Sequence, residues 1–154
     1  PQVPSDAPWE PSRIVMRPSP REIVVTSNDM VRLTSLIESC AGGRVQRLAD
    51  ALDEELEWAR TVAPTEIAHD IVTMNSRVRY VDDLTGRERE VVLSYPEDMR
   101  LGEGRVSILS PVGVALLGLT RGQSIRWTMP DGASHALRVL EVVYQPEAAG
   151  DFHL

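Results

Sequence analysis

The sequence contains only one cysteine, Cys40, among its 154 residues. A single cysteine cannot form an internal disulfide, and nothing around it resembles a cysteine-based metal site. No apolar run approaches the roughly 18 residues of a membrane-spanning helix, and the N-terminus lacks the continuous apolar core of a secretory signal. These absences exclude a disulfide framework and predict that no membrane is bound. They favour a cytoplasmic location.

Basic residues are also few. Lys and Arg total 16 against 23 Asp and Glu, which gives a net charge of −7, and the basic residues are scattered along the chain. Binding to nucleic acid phosphates requires clustered Lys and Arg, so we expect no strong binding of free nucleic acid. An acidic chain of this kind is suited instead to a basic protein surface.

Groups that could carry catalysis are missing as well. His69, His135 and His153 are far apart in sequence and lack metal-ligand spacing. Ser110 lacks the setting of a nucleophile elbow, Cys40 falls on an apolar helical stripe, and there is no glycine loop of the P-loop type. The sequence therefore predicts that the protein is not an enzyme and has no catalytic residue, cofactor or metal site.

The N-terminal part of the sequence divides into an arm and a helical region. Residues 1–20 contain six prolines, a composition that predicts an extended and solvated arm. Residues 21–64 are predicted to form a short antiparallel helical hairpin, a coiled coil, with a helix start at Thr26 and Asp29 and a turn at Gly42-Gly43. Two apolar stripes define its seam: Met30, Leu33, Ile37 and Cys40 on the first helix, then Val45, Leu48, Leu52, Leu56 and Ala59 on the second, which Pro64 ends.

The remaining chain, residues 65–154, alternates short strands with turns. Strands are predicted at 71–73, 78–81, 91–95, 105–109, 124–129 and 134–144, with a tight turn at Pro130-Asp131-Gly132. Between two of these strands lies "SPVGVALLGL", residues 110–119, where Ser110 can cap a helix, Pro111 suits its first turn and Gly118 can end it. We expect an α+β protein in which a small antiparallel β domain carries one short inserted helix.

Three segments of the sequence resemble a known family. "HDIVTMNSRV" at 69–78, "SPVGVALLGL" at 110–119 and "YQPEAAGD" at 144–151 are similar to members of the regulator of nucleoside diphosphate kinase (Rnk) family. That family is related to the Gre transcript cleavage and elongation factors. The resemblance covers residues 21–154 and implies that 65–154 form a Gre-type C-terminal domain with an FKBP-like fold.

The resemblance also implies a partner, RNA polymerase, bound at the rim of its secondary channel in competition with Gre factors. The helix in "SPVGVALLGL" is the element expected to dock, with the following residues partly exposed at the rim: Ser110, Pro111, Val114, Leu117 and Gly118. Val112, Ala115 and Leu116 are then expected to face the sheet. The alternative, that the whole stretch is core, remains open on the sequence alone. We expect the protein to act as a monomer.

The predicted hairpin tip departs from the Gre pattern. In Gre factors two acidic residues at the tip help to hold a catalytic metal ion in the polymerase. Here the tip residues are Glu38, Gly42, Gly43 and Arg44, without an acidic pair in the turn and with Arg44 of the wrong charge. We therefore expect a polymerase-binding transcription regulator that does not stimulate transcript cleavage.

Two other functions stay open. The family name raises direct contact with a nucleoside diphosphate kinase, and an FKBP-like domain raises peptidyl-prolyl isomerase or chaperone activity. The second alternative is weakened by composition, because three Trp, three Tyr and one Phe make an aromatic proline pocket hard to assemble. Fold alone does not specify a function.

Overall fold

The structure is a computed structural model that describes residues 23–128, 134–152 and 154, without the side chains of Arg44, Trp127 and Thr128. The arm predicted at 1–20, the turn predicted at 130–132 and His153 lie outside the described residues. The elements follow one another in this order: β1 (Val24–Thr26), α1 (Ser27–Ser39), α2 (Gly43–Glu57), β2 (Arg60–Val62), β3 (Arg77–Asp82), β4 (Glu88–Ser94), a 3-10 helix (Pro96–Leu101), β5 (Arg105–Ser107), α3 (Pro111–Leu116), β6 (Ser124–Thr128), β7 (Ser134–Tyr144) and α4 (Pro146–Ala149). The α+β class predicted from the sequence is confirmed.

The helical pair, α1 and α2, is bracketed by two short strands that the sequence did not predict. β1 enters α1 and β2 follows α2, and the two strands pair in parallel over three residues each. The sequence predicts that the second helix continues to Pro64. This is wrong, because α2 ends at Glu57 and residues 60–62 form β2. The apolar stripe ends at Ala59, and Arg60 donates its backbone N–H to the carbonyl oxygen of Ile23 at 2.7 Å.

The main sheet has five strands in the order β5-β4-β3-β7-β6. β3 is central and pairs antiparallel with both β4 and β7. The sequence predicts the return of β4 beside β3, but not the pairing of β3 with β7. The prediction of an entirely antiparallel domain is wrong at one edge, because β5 runs parallel to β4. The connection between these strands, which includes the 3-10 helix, returns the chain so that β5 runs in the same direction as β4.

The strand predicted at 71–73 does not form. Ile71 makes an isolated bridge with Thr120, while the segment around it follows an irregular path. Burial accounts for the β-branched composition that suggested a strand, since residues 71–74 are all buried. Gln145 satisfies two carbonyl groups in this region by donating from Nε2 to Ala68 O and Ile71 O, both at 2.8 Å.

One continuous core joins the helical pair to the sheet. Leu33 of α1 and Leu52 of α2 are fully buried, and they belong to the same cluster as Leu93 of β4 and Leu116 of α3. The predicted start of α1 is confirmed, because Thr26 Oγ1 accepts the backbone N–H of Asp29 at 3.0 Å. Other positions of the predicted stripes are less buried, and Val45 is 46% exposed. Within the described residues, no helix is both long and apolar enough to cross a membrane.

Leu52→Ala should lower the free energy of unfolding by about 2–5 kcal/mol, because Leu52 is fully buried and its removal leaves a cavity where helices and sheet meet. Glu54→Ala on the exposed side of the same helix is the matched control and should change stability by less than about 0.5 kcal/mol. Urea unfolding followed by circular dichroism measures both variants. Equal midpoints for the two variants would show that Leu52 does not support this junction.

Candidate functional site

The stretch 110–119 forms a capped helix, as the sequence predicts. Ser110 Oγ accepts the backbone N–H of Gly113 at 3.0 Å and donates to the carbonyl oxygen of Ser107 at 2.6 Å. Pro111 occupies the first turn, where a missing N–H is tolerated. The helix ends at Leu116, and Gly118 lies beyond it with φ of +81°. Ser110 therefore fixes both the start of α3 and its connection to β5.

The expected exposure of this helix is wrong for three of the five docking candidates. Val114 and Leu117 are each 1% exposed and Gly118 is also buried, whereas Ser110 and Pro111 are half-buried. The alternative that most of "SPVGVALLGL" is core is the better description. A six-residue helix has fewer than two turns, and neighbouring elements cover it on more sides than periodicity alone indicates. Only the beginning of α3 presents surface.

The two internal glycines of this stretch are explained by close approaches. A Cβ on Gly113 would lie 2.0 Å from the carbonyl oxygen of Ser107, so α3 packs directly on the backbone before it. A Cβ on Gly118 would lie 2.6 Å from Cβ of Ile23, just before β1. Gly118 also requires the left-handed conformation that side chains disfavour. Because they have no Cβ, these glycines allow α3 to pack against the end of β5 and the segment after α3 to pack against Ile23, just before β1.

A buried polar junction ties α1 to the rest of the fold. Asp29 is 3% exposed and accepts hydrogen bonds from the backbone N–H of Met74 at 3.2 Å and from the hydroxyl of Tyr95 at 3.3 Å. The guanidinium of Arg32 lies 4.1 Å from the centroid of the Tyr95 ring. The sequence assigned Asp29 only to the helix start. Its hydrogen-bond partners are 45 and 66 residues away in the sequence, so the residues next to Asp29 could not have predicted this junction.

Two of the segments that carry the family resemblance meet at a second polar contact. Glu147 Oε1 accepts the hydroxyl of Thr73 at 2.7 Å, and Thr73 also contacts Ser76 Oγ at 2.8 Å. Tyr144 donates its hydroxyl to Asp151 across α4, a contact that raises the pKa of Tyr144 to about 12. The segments 69–78 and 144–151 therefore stabilise each other, which gives both motifs a structural role.

Burial raises the pKa of Asp29 to about 6, and the negative charge of Glu147 adds to this effect. The hydrogen bonds from Met74 and Tyr95 and the positive charge of Arg32 oppose it. Because the folded pKa lies above the unfolded value of 3.8, the stabilisation is complete below about pH 4 and is lost as the pH rises through about 6. The ionised carboxylate therefore weakens the folded state at neutral pH.

Asp29→Asn should remove this pH dependence. The free energy of unfolding of the variant, relative to the parent, should rise by up to about 3 kcal/mol between pH 4 and pH 8, because one pKa unit corresponds to about 1.4 kcal/mol. Urea titrations at several pH values measure the free energy of unfolding of both proteins. Subtracting the parent value at each pH removes the contributions of the other titrating groups, which the two proteins share. A difference that stays constant over this pH range would contradict the assignment to Asp29.

The tip between the two helices comprises residues 40–42. Gly42 and Gly43 both have positive φ, +79° and +67°, which accounts for glycine at each position of this short connection. Glu38 is exposed on the last turn of α1, and the side chain of Arg44 lies outside the described part of the structure. Among the described residues, no three His, Cys, Asp or Glu side chains are grouped so that they could hold a metal ion.

The histidines do not meet at a common site in the described part of the chain. His69 is exposed in the segment before Ile71, and His135 is half-buried on β7 next to the buried Ala136. His135 has a partner within the protein. Its position on an internal strand agrees with the prediction of a strand residue.

Comparison with known proteins covers both parts of the chain. A family model described as the Rnk N-terminus matches residues 21–62, which include the helical pair. A second model, described as transcription elongation factor GreA/GreB, C-term, matches residues 67–144, which include the five-stranded sheet and α3. The boundary between the two matches falls directly after β2.

Individual relatives agree with these matches. The regulator of nucleoside diphosphate kinase of Escherichia coli (strain K12) is 44% identical over 132 residues, covering 86% of this chain and 96% of the relative. Transcription elongation factor GreA of Thermodesulfovibrio yellowstonii is 32% identical over 93 residues, covering 60% of this chain and 56% of that protein. Among solved structures, a transcription elongation factor GreA/GreB from Nitrosomonas europaea superposes with a TM-score of 0.64 at 39% identity, covering 80% of this chain and 99% of that one. The chain therefore belongs to the bacterial Rnk family and has a fold of the GreA/GreB type.

Proposed function

We propose that this protein regulates transcription by binding RNA polymerase at the rim of the secondary channel, without catalytic activity of its own. The observation that carries the proposal is the match of residues 67–144 to the C-terminal domain of GreA/GreB elongation factors. In this proposal the domain has the FKBP-like fold that the resemblance implies. The helical pair forms a short antiparallel hairpin beside it, and the protein acts as a monomer.

The docking surface that we propose is the beginning of α3. Ser110 and Pro111 are half-buried and supply the exposed part of this surface. Val114, Leu117 and Gly118 are buried beneath it, so their role is to hold the helix in place. The net charge of −7 favours a basic surface on the partner.

Pro111→Lys tests this surface, because a positive charge there would repel the basic surface proposed on the partner, while at the helix N-terminus it costs only about 0.3–1 kcal/mol of stability. We expect the variant to melt near the parent temperature and to bind core RNA polymerase more weakly in a pull-down. Leu84→Lys in the β3–β4 turn, where Leu84 is 53% exposed, is the control and should bind like the parent. The parent protein should also be displaced by an authentic Gre factor. Simultaneous binding of both factors would remove the secondary-channel proposal.

Two features of the helical pair support the proposal that the protein binds RNA polymerase without stimulating transcript cleavage. α2 has 15 residues, hence a length of about 22 Å at 1.5 Å per residue, which is short for reaching a buried catalytic centre. A metal ion requires clustered oxygen ligands. The tip residues Glu38, Gly42, Gly43 and Arg44 supply one carboxylate, that of Glu38. Asp50 lies further along α2, where its Oδ1 accepts a hydrogen bond from Gln46 Nε2.

A backtracked elongation complex tests this part of the proposal. The purified protein with magnesium should shorten the transcript no faster than polymerase alone, while an authentic Gre factor in the same buffer serves as the positive control. Faster shortening with this protein would contradict the proposal. Reduced cleavage when both factors are present would support competition for one site.

Direct control of a nucleoside diphosphate kinase is the second candidate function. It is favoured by one observation, the name of the Escherichia coli relative that is 44% identical to this chain. Immobilised protein is incubated separately with purified kinase and with core polymerase. Capture of the kinase with a change in its rate, and no capture of polymerase, would select this function over the first.

A further inference from the structure

A cleft of about 350 Å³ is lined by α1, the 3-10 helix and four neighbouring strands of the sheet, β5, β4, β3 and β7. Three arginines from separate elements line it: Arg32 of α1, Arg77 of β3 and Arg105 of β5. Two carboxylates oppose them among the lining residues, the side chain of Asp98 and the main-chain carboxylate of Leu154, the last residue of the sequence. The cleft is therefore locally positive in a chain whose net charge is −7. The sequence separates these arginines by 45 and 28 positions, so only the fold brings them to one place.

Two of the three guanidinium groups are held in position by neutral partners. Arg105 Nη1 donates to Ser94 Oγ at 2.8 Å, and Arg32 lies over the Tyr95 ring. Within the described part of the chain, neither group has a carboxylate oxygen within 4.0 Å. Their positive charges are positioned without being neutralised by an ion pair.

The third arginine is paired only loosely. Arg77 Nη1 lies 3.4 Å from Glu90 Oε2, and both side chains are close to half exposed. An exposed pair of this kind contributes about 0–1 kcal/mol, so a more highly charged anion can replace the carboxylate. None of the three arginines in the cleft lining is therefore held in a strong ion pair.

We propose that this cleft binds an oligophosphate anion, either inorganic or carried by a nucleoside. Guanidinium groups present planar pairs of donors that match phosphate oxygens, and an oligophosphate carries enough charge and length to contact arginines from several elements. The volume lies within the range of small-molecule sites, about 300–1,000 Å³. Val92 and Leu101 on the wall offer apolar surface to the part of the ligand that is not phosphate.

The proposal does not depend on polymerase binding, and it is tested on the full chain alone. Isothermal titration at low ionic strength compares pyrophosphate, ADP and adenosine. Pyrophosphate and ADP should bind, more weakly as salt is added, and adenosine should not. Equal affinities for the first two would identify the inorganic anion as sufficient, whereas tighter binding of ADP would show that the nucleoside also makes contacts.

Arg105→Gln should weaken binding of both anions by about tenfold or more, because it removes a charge-assisted donor. Arg77→Gln, at an exposed position, gives a second variant if Arg105→Gln fails to fold. Arg138→Gln is the control, since Arg138 pairs with Asp83 at 3.0 Å and does not line the cleft. Absence of binding, equal weakening by the control, or binding of adenosine as tight as that of ADP would each overturn the proposal.

Discussion

Leu117→Asp is expected to abolish cooperative folding. Leu117 is 1% exposed and is among the largest fully buried side chains, so the variant would place a carboxylate in the core. Losing a buried leucine costs about 2–5 kcal/mol, and an unpaired buried carboxylate adds several more. Together these terms approach the whole stability of a typical domain, about 5–15 kcal/mol. Circular dichroism and urea unfolding at neutral pH measure the result.

Val31→Asp provides the matched control, because Val31 is 68% exposed on α1. It introduces the same charge and should leave the unfolding midpoint close to that of the parent. If Leu117→Asp instead melts like Val31→Asp and loses only polymerase binding, Leu117 would be a surface residue as the sequence first suggested, and the buried description of α3 would be wrong.

Gly113→Ala is expected to have the second large effect, a loss of about 3 kcal/mol or more. The added methyl group would meet Ser107 O at 2.0 Å, Ser107 C at 2.8 Å and Ile108 Cα at 2.9 Å. All three are backbone atoms, so no flexible side chain can move aside. α3 would have to shift away from the connection that follows β5, which would disturb the core contacts of Val114 and Leu116.

Gly104→Ala separates this steric effect from the general cost of replacing glycine. Gly104 has φ of +80° and an added Cβ would meet no atom within 4 Å, so alanine there incurs only the left-handed strain of about 1–2 kcal/mol. Thermal melts of both variants and the parent, in one buffer, give the comparison. Gly113→Ala melting at or above the temperature of Gly104→Ala would show that the close approach is relieved easily.

The elements with strong local signals were predictable from the sequence. The start of α1 at Thr26, the cap of α3 at Ser110 and the strands β3, β4, β6 and β7 all follow from capping residues and β-branched runs. The strands β1 and β2 were missed because three residues are too few to establish a period of two. Residues 60–62 were assigned to the second helix because Pro64 was the nearest strong stop signal.

The arrangement of the candidate sites was less predictable, since it depends on contacts between distant parts of the chain. The burial of Leu117 follows from the cluster that it joins with Ile23 and Val72, which a six-residue helix cannot indicate by itself. Asp29 gains its hydrogen bonds from Met74 and Tyr95 only after the helical pair and the sheet are assembled. Arg32, Arg77 and Arg105 are likewise far apart in the sequence and come to one cleft only in the folded protein.

The pairing of β1 with β2 also has an evolutionary consequence. The two strands are hydrogen-bonded neighbours in parallel register, so the chain leaves β1 at Thr26 and returns through Arg60 to Val62, which lies opposite Thr26 at about 5 Å. Leu33 and Leu52 hold the parts of both helices nearest these strands in the core. Whole turns can therefore be added where α1 connects to α2, beyond these buried residues, while the core contacts and the sheet are kept. The length of the helical pair can change in this way without a change in the rest of the fold.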